Sequence, residues 1–181
     1  MSQCSGQIGS ELVPALREKY GVDNVIASDV TNPARRGHTH LAHSPFVYLD
    51  VMNYDNMAAV VLEYGVDWVI HLASLLSASG EMNPQLAMKL NTRGLEHVLE
   101  LARHNKLRVF APSTIAAFGP STPRDNTPDL TIMRPTTMYG ITKVYLELLG
   151  EYYFQKVGLE AVRCMFDATG CPAVLLDLLI C

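Results

Sequence analysis

The chain has 181 residues, 49% of them apolar, with 18 acidic and 14 basic side chains and a formal net charge of −4. That length supports one domain with a sizeable core, and the mildly acidic balance argues against nucleic acid or an anionic membrane surface as a partner. No apolar run approaches the ~20 residues needed to cross a bilayer; the longest, residues 173–180, is interrupted by Asp177. Neither a secretory leader nor an Arg-rich presequence is visible at the start. Cys4, Cys164, Cys171 and Cys181 form no C-x-x-C pair, so free thiols in a reducing compartment are expected.

In chain order, Gly6-Gln7-Ile8-Gly9 leads directly into a predicted helix over 10–20. A glycine turn of this kind ordinarily follows a buried strand and aims the helix N-terminus at a pyrophosphate. Residues 1–5 are too short and too polar to be that strand, and no substitute pairing is expected from them. Strands are predicted over 25–28 and 46–49. Asp29 follows the glycine turn at the spacing where an acidic side chain hydrogen-bonds an adenosine ribose and disfavours a 2′-phosphate, which favours NAD; a strand-to-loop cap is the plainer alternative. Asp50-Val51 closes the next strand, where Asp50 contacts the adenine edge or caps the following helix. Between these strands His38, His40 and His43 lie in a basic loop. No carboxylate or cysteine completes a ligand shell, so a solvated loop and no metal are expected.

A helix over 56–64 precedes a buried strand at 68–72. The segment 84–105 is amphipathic, its apolar stripe formed by Leu86, Leu90, Leu95, Val98, Leu99 and Leu101. A strand over 107–111 ends at Pro112-Ser113-Thr114, a loop rich in Pro, Thr and Asp covers 119–136, a helix covers 139–157, and a short strand-like piece follows at 160–165. Alternating strands and helices predict an α/β fold with a parallel sheet. Tyr139 and Lys143 stand one helical turn apart on a shared face. An ammonium near a phenol favours the phenolate and lowers a pKa that is about 10 when unperturbed, giving a general base suited to an alcohol.

The blocks His71-Leu72-Ala73-Ser74-Leu75-Leu76-Ser77-Ala78, Asn91-Thr92-Arg93-Gly94, Pro112-Ser113-Thr114-Ile115-Ala116-Ala117-Phe118-Gly119-Pro120 and Tyr139-Gly140-Ile141-Thr142-Lys143 carry a resemblance. Together with Gly6-Gln7-Ile8-Gly9-Ser10 and Ser28-Asp29-Val30, they make the chain similar to the extended short-chain dehydrogenase/reductases, in the NAD-dependent epimerase/dehydratase group, and within it to the L-threonine 3-dehydrogenases of animal mitochondria. The likeness runs from about Gly6 to Glu160. It implies a Rossmann-like, doubly wound parallel sheet, NAD as cofactor, and oxidation of L-threonine to 2-amino-3-oxobutyrate. Tyr139 would then be the base and Lys143 the holder of the nicotinamide ribose. Thr114 would bond the reacting oxygen, with Ser113 beside it. Gly6, Gln7, Ile8, Gly9, Asp29, Val30, Asp50 and Val51 would line the dinucleotide, with Leu72 and Ala73 at the strand edge. Ser77 is the candidate for the amino-acid part of the substrate, a helix-start hydroxyl being the alternative, and Asn91 would support the site's backbone.

Against that family the chain is expected to lack the first central strand and the C-terminal substrate lobe. It would comprise an incomplete NAD-binding unit over 1–160 and a divergent tail over 161–181, with activity impaired or lost. The resemblance also implies a mitochondrial location, otherwise cytoplasmic, and a homodimer paired through helices 84–105 and 139–157, with Tyr145, Leu149, Tyr152 and Tyr153 as an aromatic surface; ordinary packing on the chain's own sheet is the alternative. The competing functions are a nucleotide-sugar epimerase or dehydratase of the same scaffold and a non-catalytic dimerising fragment.

Overall fold

A computed structural model describes residues 3–42, 45–128 and 130–159 and the backbone of 162–165. Two parallel sheets form its frame. One pairs β1 (Ala27–Asp29) with β2 (Phe46–Tyr48), setting Ala27 opposite Phe46. The other runs β3 (Trp68–Ile70), β4 (Arg108–Pro112) and β5 (Val162–Met165) in that order. Helices α1 (Gln7–Tyr20), α2 (Tyr54–Glu63), α3 (Ser77–Met82), α4 (Pro84–Asn105) and α5 (Met138–Tyr152) connect and cover them. Their starts follow sequence chemistry. Asn53, Asn83 and Thr137 each cap a helix by accepting a backbone N–H from its first turn, and Pro84 takes the first helical position.

One strand inserted between β1 and β3 would turn these sheets into the doubly wound order 3-2-1-4-5-6. Among the described residues no strand lies there. The place holds a cleft of about 650 Å³ whose walls include Leu16, Val25, Ile26, Val66, Trp68 and Ile70. It has room for roughly twenty waters at about 30 Å³ each, far more than a packed interior leaves empty. The cleft lies beside the residues that lead into β1 and β3, whereas ligands of this fold bind beyond the carboxyl ends of the strands. It is therefore a gap in the sheet and not the candidate site.

Two strands differ in their bounds from the sequence expectation. β1 begins at Ala27, which meets Phe46 of β2, and β3 ends at Ile70, which meets Phe110 of β4. Residues 25–26 flank the cleft. The segment Gln3–Ser5 does more than its polarity suggested. The Cys4 N–H donates to the Ser28 carbonyl at 3.0 Å, and Cys4 is fully buried, acting as a small hydrophobe. One such bond docks the segment against β1 without making it a strand.

Two apolar clusters hold the molecule. Leu95, Val98, Leu99 and Leu101 of α4 pack with Val109, Met57, Val61 and Leu146. Leu12, Val13 and Leu16 of α1 pack with Ala27, Ile70 and Phe110, so the second cluster contains residues of both sheets. The α4 stripe differs at its start, where Leu86 is exposed and Ala87, Asn91 and Gly94 are buried. Small side chains are needed there, since a Cβ on Gly94 would sit 2.9 Å from a Val51 methyl. The predicted aromatic surface is half-buried in the single chain. Tyr145, Leu149 and Tyr153 pack on the first cluster and only Tyr152 of the four is exposed. The predicted helix over 139–157 is α-helical to Tyr152 and then π-helical over Tyr153–Val157, ending at Gly158 in the left-handed region. His38 and His40 belong to a short 3-10 turn, while His43 and residues 166–181 lie outside the described residues. Among the described residues no three ligand-type side chains gather to hold a metal ion.

Candidate active site

The carboxyl end of β4 meets the first three turns of α5. Thr114 starts a 3-10 turn, its hydroxyl accepting the Ala116 N–H at 3.3 Å and lying close enough to the Tyr139 phenol to pull its pKa down. Lys143 is buried. Its Nζ donates to the Pro112 carbonyl at 2.7 Å and lies 5.6 Å from the centre of the Tyr139 ring. The Ser113 hydroxyl donates to the Glu147 carboxylate. Of the four residues named for chemistry, Tyr139, Thr114 and Lys143 thus converge, while the Ser113 hydroxyl is engaged by Glu147.

The electrostatics of Tyr139 differ from the sequence expectation. Burial raises its phenol above the ordinary value, with the Thr114 hydrogen bond pulling the other way. The Lys143 ammonium sits over the ring, 5.6 Å from its centre, and donates to a backbone carbonyl, yet burial outweighs it in setting the phenol's pKa. The same ammonium bears on His71. That imidazole is buried beside β4, and burial first, then the Lys143 charge, depress its pKa to about 3.

On the cofactor side, Gly6 stands at the N-cap of α1 with no side chain capping the helix, and the first turn carries no acidic residue. Gln7 and Ile8 are exposed there. An open, uncapped helix start of this kind suits a phosphate. Gly9 is required by proximity, because a Cβ would fall 2.6 Å from the Cys4 carbonyl oxygen. Asp29 is buried, and its carboxylate accepts four hydrogen bonds. Ser5 N–H and hydroxyl reach Oδ2 at 3.0 and 2.5 Å, and Thr31 N–H and hydroxyl reach Oδ1 at 3.1 and 3.3 Å. It therefore ties the glycine turn onto β1, and a ribose hydroxyl must share Oδ2 with Ser5 or displace it. Val30 and Asp50 are exposed. Asp50 accepts the Met52 N–H, while the cap of α2 is Asn53, not Asp50. Val51 is not at the surface but in the first core cluster, packed under α4. Leu72 and Ala73 are half-buried beyond the end of β3.

A hydrogen-bonded path joins the two sides. Gln3, three residues before Gly6 and so at the first position of a G-x-x-G-x-x-G pattern, stands in the left-handed region at φ +61°. Its side-chain oxygen accepts the Ser74 N–H at 3.0 Å. Asn91 then grips the next residue from both directions, accepting from Leu75 N–H at 2.8 Å and donating to its carbonyl at 3.2 Å, and also donates to the Thr142 hydroxyl at 3.0 Å. Ser77 opens α3, whose Glu81 accepts the Met138 N–H at the start of α5. Glu147, His71 and Gln3 are the participants that the sequence reading did not single out. Only Glu147 left a signal, one turn beyond Lys143 on the same face.

The model of the family described as "NAD dependent epimerase/dehydratase family" matches residues 4–167. The chain belongs to that family. NAD is the family's cofactor, and the uncapped α1 start, the close approach at Gly9 and the Tyr139–Lys143 turn fit it. Among relatives, the L-threonine 3-dehydrogenase, mitochondrial, of Sus scrofa is 48% identical over 160 residues, which are 88% of this chain and 42% of the pig protein. An uncharacterized epimerase/dehydratase of Staphylococcus saprophyticus is 50% identical over 161 residues, covering 89% of this chain and 50% of that one. The crystal structure of L-threonine dehydrogenase from Phytophthora infestans superposes with a TM-score of 0.80 at 59% identity, covering 87% of this chain and 49% of that one. The chain thus spans about half the length of the relatives it matches. The α/β, Rossmann-like character with parallel sheets that the sequence implies is shared with these structures.

Proposed function

We propose that this site oxidises the side-chain alcohol of L-threonine to 2-amino-3-oxobutyrate. The observation that carries the reading is the convergence of Tyr139, Thr114 and Lys143 at the carboxyl end of β4, with the Lys143 ammonium held over the Tyr139 ring by the Pro112 carbonyl. The names of the pig and Phytophthora relatives supply the substrate. NAD, when bound, accepts the hydride that leaves the carbinol carbon. Thr114 holds the substrate oxygen, already presenting its hydroxyl to the phenol. Tyr139 takes the hydroxyl proton as the carbonyl forms, and Lys143 stabilises the resulting phenolate across the ring face. General-base assistance of this kind contributes about 10²–10⁴-fold. The residues grouped on the α1 side, Gly6, Gln7, Ile8, Gly9, Asp29 and Val30, are the proposed dinucleotide contacts. The unit to which this applies is residues 1–160, and the mitochondrion named for the pig relative is the compartment it implies.

The test is NADH formation from L-threonine and NAD, followed by absorbance. Wild type should produce it and Tyr139→Phe, checked for folding by circular dichroism, should not. Persistence of turnover in Tyr139→Phe would remove the base from Tyr139. Turnover of a nucleotide sugar in place of threonine would move the assignment to the epimerase branch of the family.

A further inference from the structure

Three consecutive residues at the end of β4 are each held by α5, and the holding residues fall at successive turns. Tyr139 faces the Thr114 side chain, Lys143 bonds the Pro112 carbonyl, and Glu147 bonds the Ser113 hydroxyl. Positions 139, 143 and 147 are i, i+4 and i+8 on one face of the helix. The first two grips belong to the chemistry already described. The third does not touch the reacting atoms and has no role in it so far.

We propose that Glu147 is a positioning residue that, through Ser113, fixes the β4 end so that Thr114 stays within reach of the Tyr139 phenol. This rests on the threonine-oxidation reading for its kinetic consequence, but the geometry it claims can be measured without turnover. The mechanical reason is direct. Pro112-Ser113-Thr114 leaves the sheet as a short extended piece, with Thr114 at φ −163° and ψ 153°, just before the 3-10 turn. Ser113 is the only one of the three gripped through its own side chain by a carboxylate, a charge-assisted bond of about twice the strength of a neutral one. Without it Ser113 keeps its backbone links but loses its tie to α5, and Thr114, the next residue, inherits that freedom. Since a misplacement of about 1 Å near reacting atoms costs on the order of 10²-fold in rate, a residue two turns from the base can govern it.

The experiment compares Glu147→Ala, Ser113→Ala, the double variant and Glu147→Gln with wild type. Loss of Glu147 or of Ser113 should lower kcat by roughly tenfold to a hundredfold with little change in the KM for threonine. The double variant should be no worse than either single one. Glu147→Gln keeps an acceptor for the Ser113 hydroxyl and should recover most of the rate. Independently of catalysis, the ring-carbon NMR signal of isotope-labelled Tyr139 should titrate at higher pH in Glu147→Ala, because the Thr114 hydrogen bond that favours the phenolate is weakened. An unmoved Tyr139 titration in a folded Glu147→Ala variant overturns the proposal. So does a double variant whose losses multiply. If wild type gives no NADH with threonine, the substrate reading fails, and the titration still decides Glu147.

Discussion

Tyr139 shows how one side chain's surroundings set the conditions under which a site works. Its phenol is raised by burial, even though the ammonium that a one-turn spacing suggests as an activator lies over its ring while donating to the Pro112 carbonyl. A base whose pKa lies above the working pH is mostly protonated, and its active fraction grows about tenfold per pH unit until the pKa is reached. The rate of threonine oxidation should therefore climb from neutral into alkaline solution without levelling near pH 7. A profile already flat at neutrality would show that the phenol is ionised there after all. The adjacent pair Ser113 and Thr114 makes the same point in reverse. Their hydroxyls are chemically alike, yet one faces the phenol and the other the Glu147 carboxylate, a distinction set by alternation at a strand end.

At the scale of elements, the site depends on how closely α5 approaches the 3-10 turn after β4. Gly140 follows Tyr139, and a Cβ there would lie 2.1 Å from the Ala116 carbonyl oxygen and 2.6 Å from Pro135 Cβ. Glycine is required by proximity and not by torsion. Gly140→Ala should push the first turn of α5 away, costing about 1–3 kcal/mol of stability as other overpacked contacts do. Urea denaturation should show the loss, and activity should fall with it because Tyr139 moves with that turn. Unchanged stability would mean that the turn can retreat freely. The sequence reading placed a helix over 139–157 and the end of a strand at Pro112-Ser113-Thr114. It did not show that a single missing methyl sets their separation, since contacts between distant segments leave no periodicity.

For the whole molecule, the main feature is a frame in two parallel sheets that share a core without sharing a ladder. Ile70 and Phe110 of one sheet pack with Ala27 of the other and with Val25 just before it, beside the cleft. Global stability also carries a pH signature from His71. Its folded pKa, about 3, is well below the unfolded value near 6.5. Below pH 6.5 the unfolded chain takes up a proton that the folded one refuses, so stability falls on acidification and the loss continues down toward pH 3. The slope should approach about 1.4 kcal/mol per pH unit from this group alone. Urea midpoints between pH 6.5 and 4.5 should decline, and His71→Leu should flatten the decline. An equally steep decline in that variant would assign the acid sensitivity elsewhere.

Local chemistry in the sequence determined a good deal by itself. The alternation of strands and helices, the glycine turn and the Tyr139–Lys143 spacing are all short-range patterns, and they sufficed for an α/β fold class with a parallel sheet and for naming the candidate residues, while the absent central strand was an expectation from the family resemblance. Only the tertiary structure decided the direction of the Tyr139 pKa shift, the burial of Val51, the saturation of Asp29 by Ser5 and Thr31, and the engagement of Ser113 by Glu147. Each of these depends on which groups far apart in the chain come within a few ångströms and how much water they exclude. Desolvation and hydrogen bonding act through space, and spacing along a sequence records them only where a single helix turn supplies the contact.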